Sequence, residues 1–130
     1  MTPEAPEALR VLIQVVEALE ELGLKYHVGG SYASSVHGVP RQTQDIDLVV
    51  NLPMSLVDKL VRSLSDDFFI QEDPARSAVQ ERQSFNAVHL GTGLKVDFFI
   101  LGESPFDLEE FARHRAESLL ENRKIFVKVT

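Results

Sequence analysis

Two stretches of the chain, Asp45-Ile-Asp-Leu-Val-Val50 and Leu94-Lys-Val-Asp-Phe-Phe-Ile100, limit the possible folds more than any other feature. Both are short and rich in the β-branched, aromatic and aliphatic residues that fill buried strands. Yet the first carries Asp45 and Asp47, and the second carries Asp97. In a strand, residues two apart lie on the same face, about 6 to 7 Å from one another. Asp45 and Asp47 therefore point together, while Ile46 and Leu48 enter the core. The apolar flanks of Asp97 place it in a neighbouring central strand.

The remaining pattern alternates helix and strand signals. Leu9, Leu12, Val16, Leu19 and Leu22 recur at helical steps between Pro6 and Gly23, which predicts an amphipathic packing helix. Leu24 to Val28 reads as a short strand running into the turn Gly29-Gly30, and Ser31 can cap a short helix to His37. Gly38-Val39-Pro40 stops that helix, and the loop Arg41 to Gln44 leads to the acidic strand. Ser55 is expected to cap a helix bearing Leu56, Leu60 and Leu64, followed by a strand at Phe68-Phe69-Ile70. Glu72 to Glu81 reads as a loop with a helical turn. Phe85 to Leu90 and Leu94 to Leu101 are two strands joined by a tight Gly91-Thr-Gly93 hairpin. Pro105 to Leu120 is expected as one helix, and Lys124 to Val129 as a strand. The order predicts an α/β (α+β) domain: a mixed central β-sheet of about five strands flanked by helices, with Phe98, Phe99 and Phe106 in its core.

Length and composition narrow the class. A chain of 130 residues with 44% hydrophobic content can bury a core as one domain spanning 1–130. A formal net charge of -7 opposes broad, nonspecific nucleic-acid binding. The absence of cysteine excludes disulfides, thiolate metal sites and cysteine nucleophiles. The acidic, Pro-containing N-terminal segment has no basic and apolar leader pattern, and no apolar run approaches the length of a membrane span, so a cytoplasmic location is expected.

Chemistry follows from the acids. Two carboxylates this close repel, and a divalent cation between them relieves the repulsion. Oxygen-only ligands favour magnesium or manganese over zinc. With Asp97 as a third ligand, a two-metal site can clamp the attacking and leaving oxygens of an in-line displacement at phosphorus. Gly29-Gly30-Ser31 at a strand end and helix start offers backbone N–H groups and a hydroxyl to an anion, with no Cβ in the way at the glycines. The turn and the acids read as two halves of one nucleoside triphosphate site.

Gly29-Gly30-Ser31, the helix after it, Asp45-Ile-Asp47 and Asp97 together resemble the nucleotidyltransferase superfamily typified by DNA polymerase beta and the minimal nucleotidyltransferases. The stretch from Gly29 to Val50 looks especially like the AbiEii-type bacterial members, in which an arginine and a threonine precede the acidic pair as Arg41 and Thr43 do here. The likeness covers about Leu24 to Leu101 and, loosely, the segment to Thr130. It implies magnesium-dependent (or manganese-dependent) transfer of a nucleoside monophosphate from a bound triphosphate, ATP or another NTP, to an acceptor hydroxyl. By position it implies Asp45 and Asp47 as ligands of both metals. It implies Asp97 as ligand of the catalytic metal and as the group that orients or deprotonates the acceptor. Gly29, Gly30 and Ser31 are then the phosphate cradle, with Arg41 and Thr43 contacting the nucleotide or steadying the loop.

Acceptors in the superfamily include transfer RNA ends, protein hydroxyls and small antibiotics, and the sequence does not choose among them. Members also carry a closing helix after the last strand, so the resemblance leads us to expect such a helix beyond Thr130, or completion of the fold by a protein partner or a second copy. The rival reading is a nucleotide-binding or regulatory module without turnover, such as half of a toxin and antitoxin pair. Lys95 shares a strand face with Asp97, within reach of a phosphate, and reads first as an exposed or acid-paired lysine. His27, His37, His89 and His114 lack metal-ligand spacing and read as packing or surface residues. Arg113, Arg115, Arg123 and Lys124 form a modest basic cluster, read as a solvated face with an acceptor-facing patch as the alternative.

Overall fold

The computed structural model describes residues 7–29, 45–102, 104–113, 115–120 and 123–128. The expected helix from Ser31 to His37 and the loop from Arg41 to Gln44 lie outside them.

The first element is helix α1, Glu7–Glu21, which buries Leu9, Val11, Leu12, Val15, Val16 and Leu19 along one stripe. It ends where the pattern predicts. Gly23 adopts a left-handed φ of 71°, which costs glycine least, and its N–H donates to the Glu20 carbonyl at 3.0 Å. The Leu24 N–H donates to the Leu19 carbonyl at 2.9 Å and completes the cap.

Strands β1 (Tyr26–Val28) and β2 (Asp45–Val50) follow, and then a 3-10 turn (Met54–Leu56) leads into helix α2 (Val57–Leu64). Strand β3 (Phe68–Ile70), helix α3 (Glu72–Glu81), strands β4 (Ser84–His89) and β5 (Lys95–Ile100), helix α4 (Pro105–Arg113) and strands β6 (Arg115–Leu120) and β7 (Arg123–Lys128) complete the described elements. The strands form one sheet in the order β3-β4-β5-β2-β1-β7-β6. β2 runs parallel to β5 and β1 parallel to β7, while the other neighbours are antiparallel. The expectation of a mixed sheet with flanking helices holds.

One face of this sheet is the core. Tyr26, Val28, Ile46, Leu48, Val50, Val96, Phe98, Phe85 and Ala87 are buried in a single cluster with the apolar stripes of α1, α2 and α3. Phe98 stacks on Phe85 across the β4–β5 pair, with ring centroids 4.9 Å apart. The strands with the most apolar sequence are thus the ones covered by a helical layer. α4 serves the other face: its Phe111 stacks on the buried His27 with centroids 4.8 Å apart, and His27 alternates with the core residues Tyr26 and Val28.

Several sequence expectations are corrected. The segment from Pro105 to Leu120 is not one helix: α4 stops at Arg113, and Arg115 to Leu120 pairs with β7 through six registered positions. Cross-strand pairing outweighs the local helix propensity of Ala116, Glu117, Leu119 and Leu120. Glu72 to Glu81 is a full helix; it buries only Ala75, Ala78 and Val79, which is too little apolar periodicity to read. Ser55 lies within the 3-10 turn, and no side chain caps α2. The described sheet has seven strands rather than about five. Phe99 and Phe106 are exposed, at 42% and 69%, because Phe99 falls on the face opposite Phe98 and Phe106 on the outer side of α4. The Gly91-Thr-Gly93 hairpin holds. Gly93 has a φ of 76° and donates to the His89 carbonyl at 2.7 Å, while Thr92 Oγ1 accepts from the Leu94 N–H at 3.2 Å.

Candidate active site

The parallel pairing of β2 with β5 fixes the arrangement of the acids. Asp47 stands opposite Asp97, and Asp45 stands opposite Lys95. Paired strands are about 4.8 Å apart, so residues 47 and 97 are as close as two side chains on neighbouring strands can be. Both are half-buried, whereas Ile46, Leu48, Val96 and Phe98, which alternate with them, are buried. The same row continues onto β4, where Asn86 stands opposite Asp97. Read across the sheet, the row is Asp47, Asp97, Asn86.

Gly29 approaches this row from β1. Its N–H donates to the Asp47 carbonyl at 2.7 Å. A Cβ placed on Gly29 would sit 2.9 Å from the Asp47 Cβ and 3.2 Å from the Asp47 carbonyl oxygen, closer than side chains pack. What Gly29 supplies here is therefore space for the Asp47 strand. Its N–H is engaged within the sheet by this bond. The other residues of the expected phosphate cradle, Gly30 and Ser31, lie outside the described residues, as do Arg41 and Thr43.

The Asp45 side chain also lies outside what is described, although its backbone position in β2 is fixed by the pairing with Lys95. Among the described residues no group of three His, Cys, Asp or Glu side chains is placed to hold a metal ion. Of the three expected ligands, Asp47 and Asp97 are brought side by side. Two carboxylates in register, with no nitrogen or sulfur donor beside them in the row, suit a hard divalent cation such as magnesium or manganese.

Sequence reading did not single out Asn86 or Ser84. The signal was present but weak: the burial of β4 alternates over Ser84, Phe85, Asn86 and Ala87, so both polar residues fall on the acid face once the strand register is known. His27 takes the packing role expected for it, under Phe111. Arg113 pairs within α4 with Glu109, as a solvated face would. No helix among the described residues is long and apolar enough to cross a membrane.

No protein-family model matches the chain, and no curated protein matches it. Solved structures do. A Thermotoga maritima protein described as a nucleotidyltransferase superposes with a TM-score of 0.62 at 18% identity, covering 98% of this chain and 80% of its own. The lincosamide antibiotic adenylyltransferase LnuA, solved with lincomycin bound, gives 0.61 at 14% identity over 97% of this chain and 82% of its own. A nucleotidyltransferase-like antigenic protein of Paracoccidioides brasiliensis gives 0.61 at 18% identity over 98% of this chain and 63% of its own. Identities this low speak to backbone architecture, and the architecture is consistent across all three. Together with the mixed sheet that sets Asp47 beside Asp97, these superpositions show that the chain has the nucleotidyltransferase fold.

Proposed function

We propose that the protein is a metal-dependent nucleotidyltransferase that moves a nucleoside monophosphate from a nucleoside triphosphate to an acceptor hydroxyl. The observation that carries this reading is the register of Asp47 with Asp97 on adjacent parallel strands of a nucleotidyltransferase fold. A core has no use for two carboxylates placed side by side, whereas a cation-assisted displacement at phosphorus needs them there.

In this reading Asp45, Asp47 and Asp97 hold magnesium or manganese. When bound, the metal supplies charge neutralisation for the triphosphate and the leaving pyrophosphate. Gly30 and Ser31 bind the terminal phosphates on the β1 flank of β2, while Arg41 and Thr43 contact the nucleotide. Gly29 keeps that flank close to Asp47 by having no side chain. Asp97 lies on the other flank and receives the acceptor. The acceptor oxygen forms its bond to the α-phosphorus as the bond to the pyrophosphate oxygen breaks, and its proton passes to the Asp97 carboxylate. LnuA is named for adenylyl transfer to a lincosamide, so a small-molecule acceptor stands beside RNA and protein hydroxyls.

The test is to incubate the protein with magnesium and each labelled triphosphate, then with cell extract, and to follow the label. Magnesium-dependent triphosphate binding and transfer of label to one class of acceptor are the expected results. Absence of magnesium-dependent triphosphate binding would overturn the enzyme reading and leave a regulatory or interaction module, such as half of a toxin and antitoxin pair.

A further inference from the structure

The outward face of β5 presents three residues in sequence, Lys95, Asp97 and Phe99, while Val96, Phe98 and Ile100 are buried. Steps along a strand place them about 6 to 7 Å apart. On the β4 side, Val88, Asn86 and Ser84 stand opposite them in the same order. On the β2 side, Lys95 stands opposite Asp45. Lys95 is thus a cation set into the acid face, one strand away from β2 and on the side opposite to β1 and the Gly29 turn.

Lys95 is half-buried, yet it forms no ion pair with a described carboxylate. The ion pairs Arg62–Asp58, Arg76–Glu72 and Arg113–Glu109 are local pairs within helices. An ammonium on a flexible stem of about 6 Å, standing two residues from Asp97, can reach a group bound beside that carboxylate. The flank matters as well. Phosphates held near the β1 turn lie across β2 from Lys95, so in an in-line displacement the group nearest Lys95 belongs to the acceptor.

We infer that Lys95 is a specificity-determining residue that selects acceptors carrying an anionic group, a phosphate ester, next to the hydroxyl that reacts at Asp97. Asn86 hydrogen-bonds the same acceptor from the β4 side, and Phe99 offers its exposed ring to the acceptor's body. This rests on the proposed transferase reading and deepens it. An anionic acceptor approaching a bound triphosphate and a carboxylate row is opposed by their charge. Lys95 is the described cation on that face and flank placed to offset this opposition. A cationic acceptor is correspondingly disfavoured.

The chemistry fits two sources, a small phosphorylated alcohol or the terminal nucleotide of a nucleic-acid strand, and one experiment separates them. Isotopically labelled protein is first saturated with magnesium and the non-hydrolysable α,β-methylene analogue of ATP, and then titrated either with glycerol 3-phosphate or with a short single-stranded RNA ending in a free 3′-hydroxyl. Amide shifts are followed by NMR. The expected result is saturable shifts at Lys95, Asn86 and Phe99 with at least one probe, weakened roughly tenfold in Lys95→Gln and restored in Lys95→Arg, with binding of the analogue intact in both variants. Saturation by glycerol 3-phosphate assigns the small-molecule source, and saturation by RNA alone assigns the strand end. Failure of the analogue itself to bind would overturn the transferase reading and this inference with it. Analogue binding with neither probe perturbing the β5 face, or with equal affinities in Lys95→Gln, would overturn the inference alone.

Discussion

Asp47 and Asp97 face one another across the parallel β2–β5 pair, in register, on the face of the sheet that the core helices leave open. In the metal-free protein their like charges oppose each other with an energy of about 1 kcal/mol at a separation of roughly 5 Å in a largely solvated setting. Asp47→Asn is therefore expected to raise the metal-free Tm by roughly 3 °C. It is also expected to abolish the stabilisation by magnesium predicted for the wild-type protein, which by mass action would grow with metal concentration. Calorimetry with and without magnesium reads both effects. A metal-free variant less stable than wild type would show that charge crowding is not what the pair imposes.

The second prediction concerns how the sheet is tied together. The Tyr26 hydroxyl accepts the Phe126 N–H at 3.2 Å and approaches Glu20 at 3.4 Å, and its ring meets Phe126 edge-on with centroids 5.9 Å apart. One side chain thus joins β1, β7 and the end of α1. Tyr26→Phe keeps the ring contact and deletes the hydroxyl, so this hydrogen bond is lost, at a cost of about 1 kcal/mol. Urea denaturation is expected to show a lower midpoint with an unchanged slope. Hydrogen exchange at the Phe126 amide is expected to quicken more than exchange within β2. Equal protection in the variant would mean that β7 is held by its strand pairing alone.

These relationships were legible in the sequence to very different degrees. Ile46 and Leu48 alternate with the acids so regularly that the core face of β2 and the existence of an acid face could be read directly. What could not be read was which residue of β5 stands opposite Asp47, because register is a property of two strands and is set by packing across the sheet. For the same reason Asn86 escaped notice: nothing in Phe85-Asn-Ala-Val says that it borders Asp97. β6 is not legible in the sequence because Arg115 to Leu120 contains good helix formers and its strand character comes from pairing with β7. α3 is hidden in the sequence because Pro74 and four charged residues obscure a helix that buries only Ala75, Ala78 and Val79.

Phe98 and Phe99 give a paired prediction, since the sequence reading treated them alike and the structure separates them. Phe98 is fully buried against Phe85, and truncating it to alanine is expected to cost about 3 to 5 kcal/mol through lost burial and a residual cavity. Phe99 is 42% exposed on the opposite face, and Phe99→Ala is expected to cost about 1 kcal/mol or less. Denaturant melts of the two variants check the difference. Comparable losses would place Phe99 under a covering segment in solution.

The closeness of Gly29 to the Asp47 strand sets what a side chain there would do. Gly29 is required by the Asp47 strand: its N–H donates to the Asp47 carbonyl at 2.7 Å, and an added Cβ would fall 2.9 Å from the Asp47 Cβ. Neither contact can be relieved by turning a side chain, because the nearest atoms are the Cβ and backbone of Asp47 itself, so the strands must separate. Gly29→Ala is therefore expected to destabilise the protein by about 1 to 3 kcal/mol, the usual range for overpacking a tight contact. It is also expected to shift Asp47 relative to Asp97, so binding of magnesium and triphosphate falls even under conditions where the variant remains folded. A bulky residue at Gly30, proposed to cradle phosphate, is expected to weaken triphosphate binding. Measuring the midpoint and the triphosphate affinity for both variants separates a glycine kept for packing from one kept for a ligand. A stable Gly29→Ala protein with unaltered metal binding would show that β1 and β2 can move apart without disturbing the carboxylate pair.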